Sequence, residues 1–148
     1  MERTLILIKP SAVARSLIGK IIDRFEEQDL KVAALKMFHM DENLAARHYA
    51  MHVGKPFYPA LITNITSGPL VAMVLEGQNA IQRARQIIGA TDPAKAAPGT
   101  IRADFALSTQ MNAVHGSDSP EAADREIRLF FSEAEVFSRE LTAAESVA

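Results

Sequence analysis

The stretch "NAVHGSDSPEAADREI", residues 112–127, sets His115 ahead of Glu126 across the polar joint Gly116, Ser117 and Asp118. A neutral imidazole is a good nucleophile toward phosphorus, and its pKa near neutrality keeps that form populated at pH 7. Such a nucleophile needs an acceptor to fix its tautomer, cations to neutralise phosphate oxygens, and room for a leaving group. Glu126 is the candidate acceptor, provided its helix folds back beside the histidine. Lys9, Arg85 and Arg102 are the candidate cations, and an Arg fork can hold two oxygens at once. The plainer alternatives are a packing histidine at a strand end and basic side chains that are only solvated.

Other chemistries are poorly supplied. The chain has no cysteine, which excludes disulfides, thiolate chemistry and cysteine-held metals. His39 falls in an apolar run, while His48 and His52 lie one helical turn apart on a short segment. That spacing can bind a metal, but it lacks an acidic third ligand nearby. There is no Walker-type glycine loop and no HExxH motif, so no direct protein-held metal is expected.

The elements that must position these groups follow from periodicity. "TLILI", residues 4–8, is apolar on both parities, as a buried central strand requires, and Lys9 and Pro10 end it. A helix is predicted from Leu17 to about Gln28, with Ser16 as its cap and Leu17, Ile21, Ile22 and Phe25 as its apolar stripe. Residues 31–40 read as a second strand. Two short helices are predicted over 43–52 and 58–65, with "GKPF" between them; neither is long enough to stand alone. "SGP" at 67–69 turns the chain into a third strand, 70–75. Asn79 is positioned to cap a helix carrying Ile81, Ala84 and Ile88, and Gly89 to end it.

From Ala90 to about Asn112 no periodicity persists, and a connection this long is more often functional than idle. "NAVH" supplies a short last strand. Ser119 and Pro120 then open a helix with Ala123, Ile127 and Phe130 on one face. The expected fold is α+β: a ferredoxin-like β-α-β-β-α-β sandwich with a four-stranded antiparallel sheet, an inserted helical pair and a long functional loop. Residues 1–148 read as a single domain, with a C-terminal tail from about 139 to 148 whose polar "TAAESVA" reads as a frayed end or as an arm that needs a partner to order it.

Composition agrees. The chain has 148 residues, 48% hydrophobic and 23% charged, with a net charge of −2. That balance argues against a primary nucleic-acid partner. The apolar run in "MERTLILIKP" is too short for a signal peptide, and none reaches membrane-spanning length. A cytoplasmic protein with no membrane partner is the expectation.

Taken together, "NAVHGSDS", "ERTLILIKPSAV", "HYAMHVGKPFY", "TSGPLVAMVLEG" and "IIGATDPAKAAPGTIRADF" resemble a nucleoside diphosphate kinase of the short bacterial type. The resemblance runs from Glu2 to about Ser138. It implies ping-pong transfer of the terminal phosphoryl group of a nucleoside triphosphate, usually ATP, to a nucleoside diphosphate through phosphohistidine at His115. It implies a catalytic group of His115, Glu126, Ser117, Lys9 and Tyr49, with phosphorylation on Nδ1 and the other ring nitrogen facing Glu126. Arg85, Thr91 and Arg102 match residues that hold β- and γ-phosphate oxygens, and Lys9 and Asn112 match those that bond sugar hydroxyls, with Lys9 also near the transferring phosphate. Phe57 matches the aromatic on which the base stacks, although read alone it belongs in the core. Thr109 stands where an apolar side chain often covers the base's other face, with Leu61 at the pocket wall.

The resemblance also implies Mg2+ carried on nucleotide phosphates and water, and a homo-oligomer, tetramer or hexamer, built from dimers. Pro98 in the long loop leans toward the hexamer. The chain departs from the common pattern at Ser11, where an acidic or amide residue is usual, and at Gln110 and Met111, where many relatives carry a charge before the asparagine. A noncatalytic nucleotide-binding regulator or scaffold is the alternative, but it would be expected to lack the nucleophile, its acid partner or an arginine.

Overall fold

The computed structural model describes residues 1–109 and 111–140. Gln110 and most of the predicted tail, residues 141–148, lie outside them. Strands β1 (Glu2–Ile8), β2 (Lys31–His39), β3 (Pro69–Gly77) and β4 (Val114–Gly116) form one antiparallel sheet in the order β2-β3-β1-β4. The ferredoxin-like expectation is met, and β1 is central between β3 and β4. Its alternation explains the two-sided apolar run. Ile6 and Ile8 enter one core with Ile21 and Phe25 of α2 (Ile18–Glu27) and Ala84 and Ile88 of α5 (Ala80–Ile88). Leu5 and Leu7 enter the other, with Ala45 of α3 (Glu42–His48), Ile65 of α4 (Tyr58–Ile65) and Phe130 of α7 (Pro120–Phe130).

Ser16 does not cap α2. A short helix α1 (Pro10–Ala14), too brief to leave a periodic signature, precedes it. Ser16 closes α1 with φ +61: its N–H donates to Val13 O at 3.0 Å and Leu17 N–H to Ala12 O at 3.1 Å, a Schellman closure. Leu17 is then the N-cap of α2 and offers no side-chain acceptor.

Asn79 stands at the N-cap of α5 but has φ +49, and its side chain caps nothing. Glu2 takes over: its Oε1 accepts the N–H of Ile81 at 2.8 Å from across the sheet. Gly89 does end α5. Its φ is +91, and a Cβ there would lie 2.5 Å from Thr100 Oγ1.

The span predicted as one helix over 43–52 divides into α3, capped by Asp41 on Leu44 N–H, and a 3-10 turn at Ala50–His52. The aperiodic loop contains the short helix α6 (Ile101–Phe105), capped by Thr100. β4 starts two residues later than expected because buried Ala113 adopts φ +75, which interrupts the extended run. Ser119 and Pro120 open α7 as predicted, with Ser119 Oγ accepting from Ala122 N–H at 3.1 Å. No helix among the described residues is long and apolar enough to cross a membrane.

Candidate active site

β4 pairs with β1 so that Leu7 faces His115 in register, and Ser117 follows directly. Ser117 is fully buried; its N–H donates to Leu5 O, and its Oγ accepts Leu5 N–H, both at 3.1 Å. These bonds anchor the polar joint to the central strand. α7 then folds back across β1 and delivers Glu126 to the histidine. Glu126 Oε1 lies 3.0 Å from His115 Nε2 and accepts the Ser117 hydroxyl at 2.8 Å. Burial alone raises the Glu126 pKa, but the bonds from His115 and Ser117 outweigh it and hold the carboxyl below its ordinary value. An ionised acceptor makes Nε2 the protonated nitrogen and leaves the Nδ1 lone pair for chemistry.

His115 and Glu126 open onto a cavity of about 660 Å³. The candidate cations Lys9, Arg85 and Arg102 all line it, with Thr91 and Asn112. So do Tyr49, Phe57, Leu61 and Thr109, which places every predicted site residue on its wall except Ser117, buried behind it. Phe57 is 41% exposed, which removes the core reading and frees its face for a ligand.

Two of the cations, Lys9 and Arg102, are held in place before any ligand arrives. Lys9 Nζ donates to Asn112 Oδ1 at 2.8 Å, and Asn112 Nδ2 donates to Thr109 O at 3.0 Å. Arg102 donates to Gly89 O at 3.1 Å and to Val114 O at 2.8 Å, and among the described residues no carboxylate bonds its fork. Burial, and then the neighbouring Arg102, pull Lys9 down to about 8. Burial, and then Arg85, lower Arg102 to about 10. Buried cations placed beside one another, with no salt bridge to a carboxylate among the described residues, form a site that gains stability from a polyanion.

Several lining residues carried no clear signal in the sequence. His48 and His52 both line the cavity, but the donors that group with His48 are His115 and Glu126, while His52 leaves the helix for the 3-10 turn. His48 instead packs edge-on against His115, ring centroids 4.7 Å apart, and is 3% exposed. Neither of its nitrogens has a hydrogen-bond partner among the described residues. Burial, and then His115, push its pKa down to about 3, so it stays neutral. Tyr49 lies beside it, the ring centroids 4.6 Å apart and the planes tilted by 58°, and burial, then Glu126, raise its hydroxyl to about 12. His52 stands edge-on to Phe57 at 5.4 Å, with Lys55 Nζ 3.1 Å from its Nδ1. Asp118 and Arg125 complete the rim. Side-chain spacing cannot announce such neighbours, because they meet only through the fold.

An imidazole with one nitrogen tied to a carboxylate, facing a cation-lined cleft, suits an electrophilic phosphorus on a polyanion. On a ferredoxin-like sheet this defines a phosphotransferase. The chain belongs to the nucleoside diphosphate kinase family, whose model matches residues 2–136. It is 54% identical over 140 residues to the nucleoside diphosphate kinase of Archaeoglobus fulgidus, covering 95% of this chain and 93% of that one. It is 56% identical over 136 residues to that of Nitratiruptor sp., covering 92% and 99%. Among solved structures, the Aquifex aeolicus nucleoside diphosphate kinase superposes with a TM-score of 0.89 at 46% identity, over 91% of this chain and 98% of that one. The Halobacterium salinarum kinase, solved in complex with CDP, gives 0.91 at 46% identity, over 99% and 98%.

Proposed function

We propose that this kinase works by ping-pong exchange through His115. The neutral Nδ1 attacks the terminal phosphorus of a nucleoside triphosphate, the bond to the bridging oxygen breaks, and the nucleoside diphosphate departs. The phosphoimidazolium left behind keeps its proton on Nε2, where the ionised Glu126 stabilises the positive charge. A terminal oxygen of a second diphosphate then attacks the phosphorus, the P–N bond breaks, and its electron pair returns to Nδ1 to restore the neutral ring. The observation that carries this reading is the His115 Nε2–Glu126 Oε1 contact of 3.0 Å, which fixes the tautomer with Nδ1 unprotonated.

In this reading Arg85, Thr91 and Arg102 hold phosphate oxygens, and Lys9 and Asn112 bond the sugar hydroxyls, with Lys9 also near the transferring group. Tyr49 supports the nucleophile's surroundings. The base stacks on Phe57, against Leu61 and Thr109. Stacking accepts every base, since each has a π-face, so broad specificity across cytoplasmic nucleotides is expected.

Mg2+ fits as an ion carried by the nucleotide. The charged side chains read here as phosphate contacts, Lys9, Arg85 and Arg102, are cations that cannot ligate it, and the grouped donors His48, His115 and Glu126 are richer in nitrogen than magnesium prefers. When bound on phosphate oxygens and water, it neutralises charge that Lys9, Arg85 and Arg102 leave.

Assembly into dimers and then a tetramer or hexamer is part of the proposal. Leu35 and Met37 support it, being 54% and 55% exposed on edge strand β2, as does Leu107 in the long loop at 58%. Light scattering at several concentrations decides it, and a stable monomer refutes it.

The deciding experiment incubates the enzyme with ATP and magnesium alone. Intact-mass spectrometry at neutral or alkaline pH should show one phosphoryl group, discharged by added nucleoside diphosphate. Nucleotide binding without a phosphoenzyme would favour the regulatory or scaffold alternative. Activity surviving complete chelation would remove the magnesium requirement.

A further inference from the structure

α6 is five residues long and has almost no helical stability of its own, yet it carries Arg102 into the cleft. Its inner anchor is Ile101, fully buried in the core. Its outer face is held by α2. Arg24 Nη2 donates to Asp104 Oδ2 at 2.8 Å, and Arg24 Nη1 donates to Gly99 O at 2.9 Å. The same guanidinium lies over the Phe105 ring, 4.9 Å from its centroid. A second arginine, Arg15 at the end of α1, donates to Phe105 O at 2.5 Å.

Arg24 therefore grips both ends of the segment that carries Arg102. Gly99 precedes α6 with φ +89, Phe105 is its last residue, and Asp104 lies between. Arg102 lies inside that grip, with its own fork on Gly89 O and Val114 O. A single exposed ion pair is worth little. A planar fork that meets a carboxylate, a carbonyl and a ring together fixes position, and lysine cannot reproduce it.

We infer that Arg24 is a positioning residue for phosphate recognition: from outside the cleft it holds α6 so that the Arg102 guanidinium is preset for the β-phosphate. This rests on the reading that Arg102 contacts phosphate. Arg24 touches no substrate and acts through Arg102.

The test compares ADP with AMP, which share base, sugar and α-phosphate, by calorimetry on the full chain. Arg24→Ala should weaken ADP about tenfold while changing AMP less than about twofold, a loss typical of one displaced charge-assisted contact. Asp104→Asn, which breaks the grip from the other side without removing the arginine, should give a smaller loss of the same selectivity. Arg24→Lys should not restore wild-type selectivity. In an Arg102→Ala background, Arg24→Ala should cost ADP binding almost nothing more. Equal loss for ADP and AMP, or full additivity with Arg102→Ala, overturns the inference, because a merely structural role predicts those results. If Arg102→Ala itself leaves the ADP-to-AMP ratio unchanged, the phosphate role of Arg102 falls first and the inference with it. Thermal unfolding of each variant identifies any that fail to fold, and Asp104→Asn then decides.

Discussion

Glu126 Oε1 lies 3.0 Å from His115 Nε2, so the carboxylate meets the nitrogen opposite the one proposed to react. His115→Ala should therefore abolish phosphoenzyme formation while leaving ADP binding measurable, since the stacking and phosphate contacts remain. Acceptor-dischargeable phosphorylation of the variant, read by intact mass, would place the nucleophile elsewhere.

Glu126→Ala removes the acceptor that fixes the tautomer and also strands the Ser117 hydroxyl at its centre. The phosphorylation rate should fall by about a hundredfold with little change in ADP affinity. Rapid-quench kinetics separates the two. A rate within about threefold of the parent would show that the contact does not orient the ring.

Lys9 holds its proton only up to about pH 8, against an ordinary value of 10.5. A bound polyanion favours the charged form and raises that pKa. ADP binding at pH 8 should therefore take up as much as about half a proton, and affinity should fall as pH rises above 8. Calorimetry in buffers of different ionisation heat measures the uptake. Lys9→Met should lose it.

Burial holds His48 neutral down to about pH 3, whereas the unfolded chain protonates it near 6.5. Below 6.5 the unfolded state binds the extra proton and the folded state does not. Stability should fall as the pH drops from 6.5, by up to about 1.4 kcal/mol per pH unit for this one group. Urea titrations between pH 7 and 5 should show the slope, and His48→Phe should flatten it while keeping a ring against Tyr49 and Phe130. An unchanged slope would mean that His48 is charged in the folded protein.

The cap of α5 gives a test of stability alone. Glu2→Ala should cost about 1 kcal/mol, the usual worth of an N-terminal cap. Asn79→Ala should cost little through lost capping, because the Asn79 side chain makes no capping bond. Equilibrium unfolding of both variants ranks them, and the reverse order would restore Asn79 as the cap.

By itself the sequence determined the elements whose information is local. β1 is legible because Leu5–Ile8 are apolar on both parities, and α7 because Ser119, Pro120 and a helical stripe adjoin. The proposed nucleophile, its proposed acid partner and the cations that line the cleft were legible as residue types in family order. Tertiary structure alone decided what depends on chain closure. It brought His48 against His115, gave α5 a cap from Glu2, and locked α6 with Arg24. Periodicity records which face of an element is apolar. A hydrogen bond between distant segments requires atoms to meet within about 3 Å, and only the packed sheet and helices set that distance.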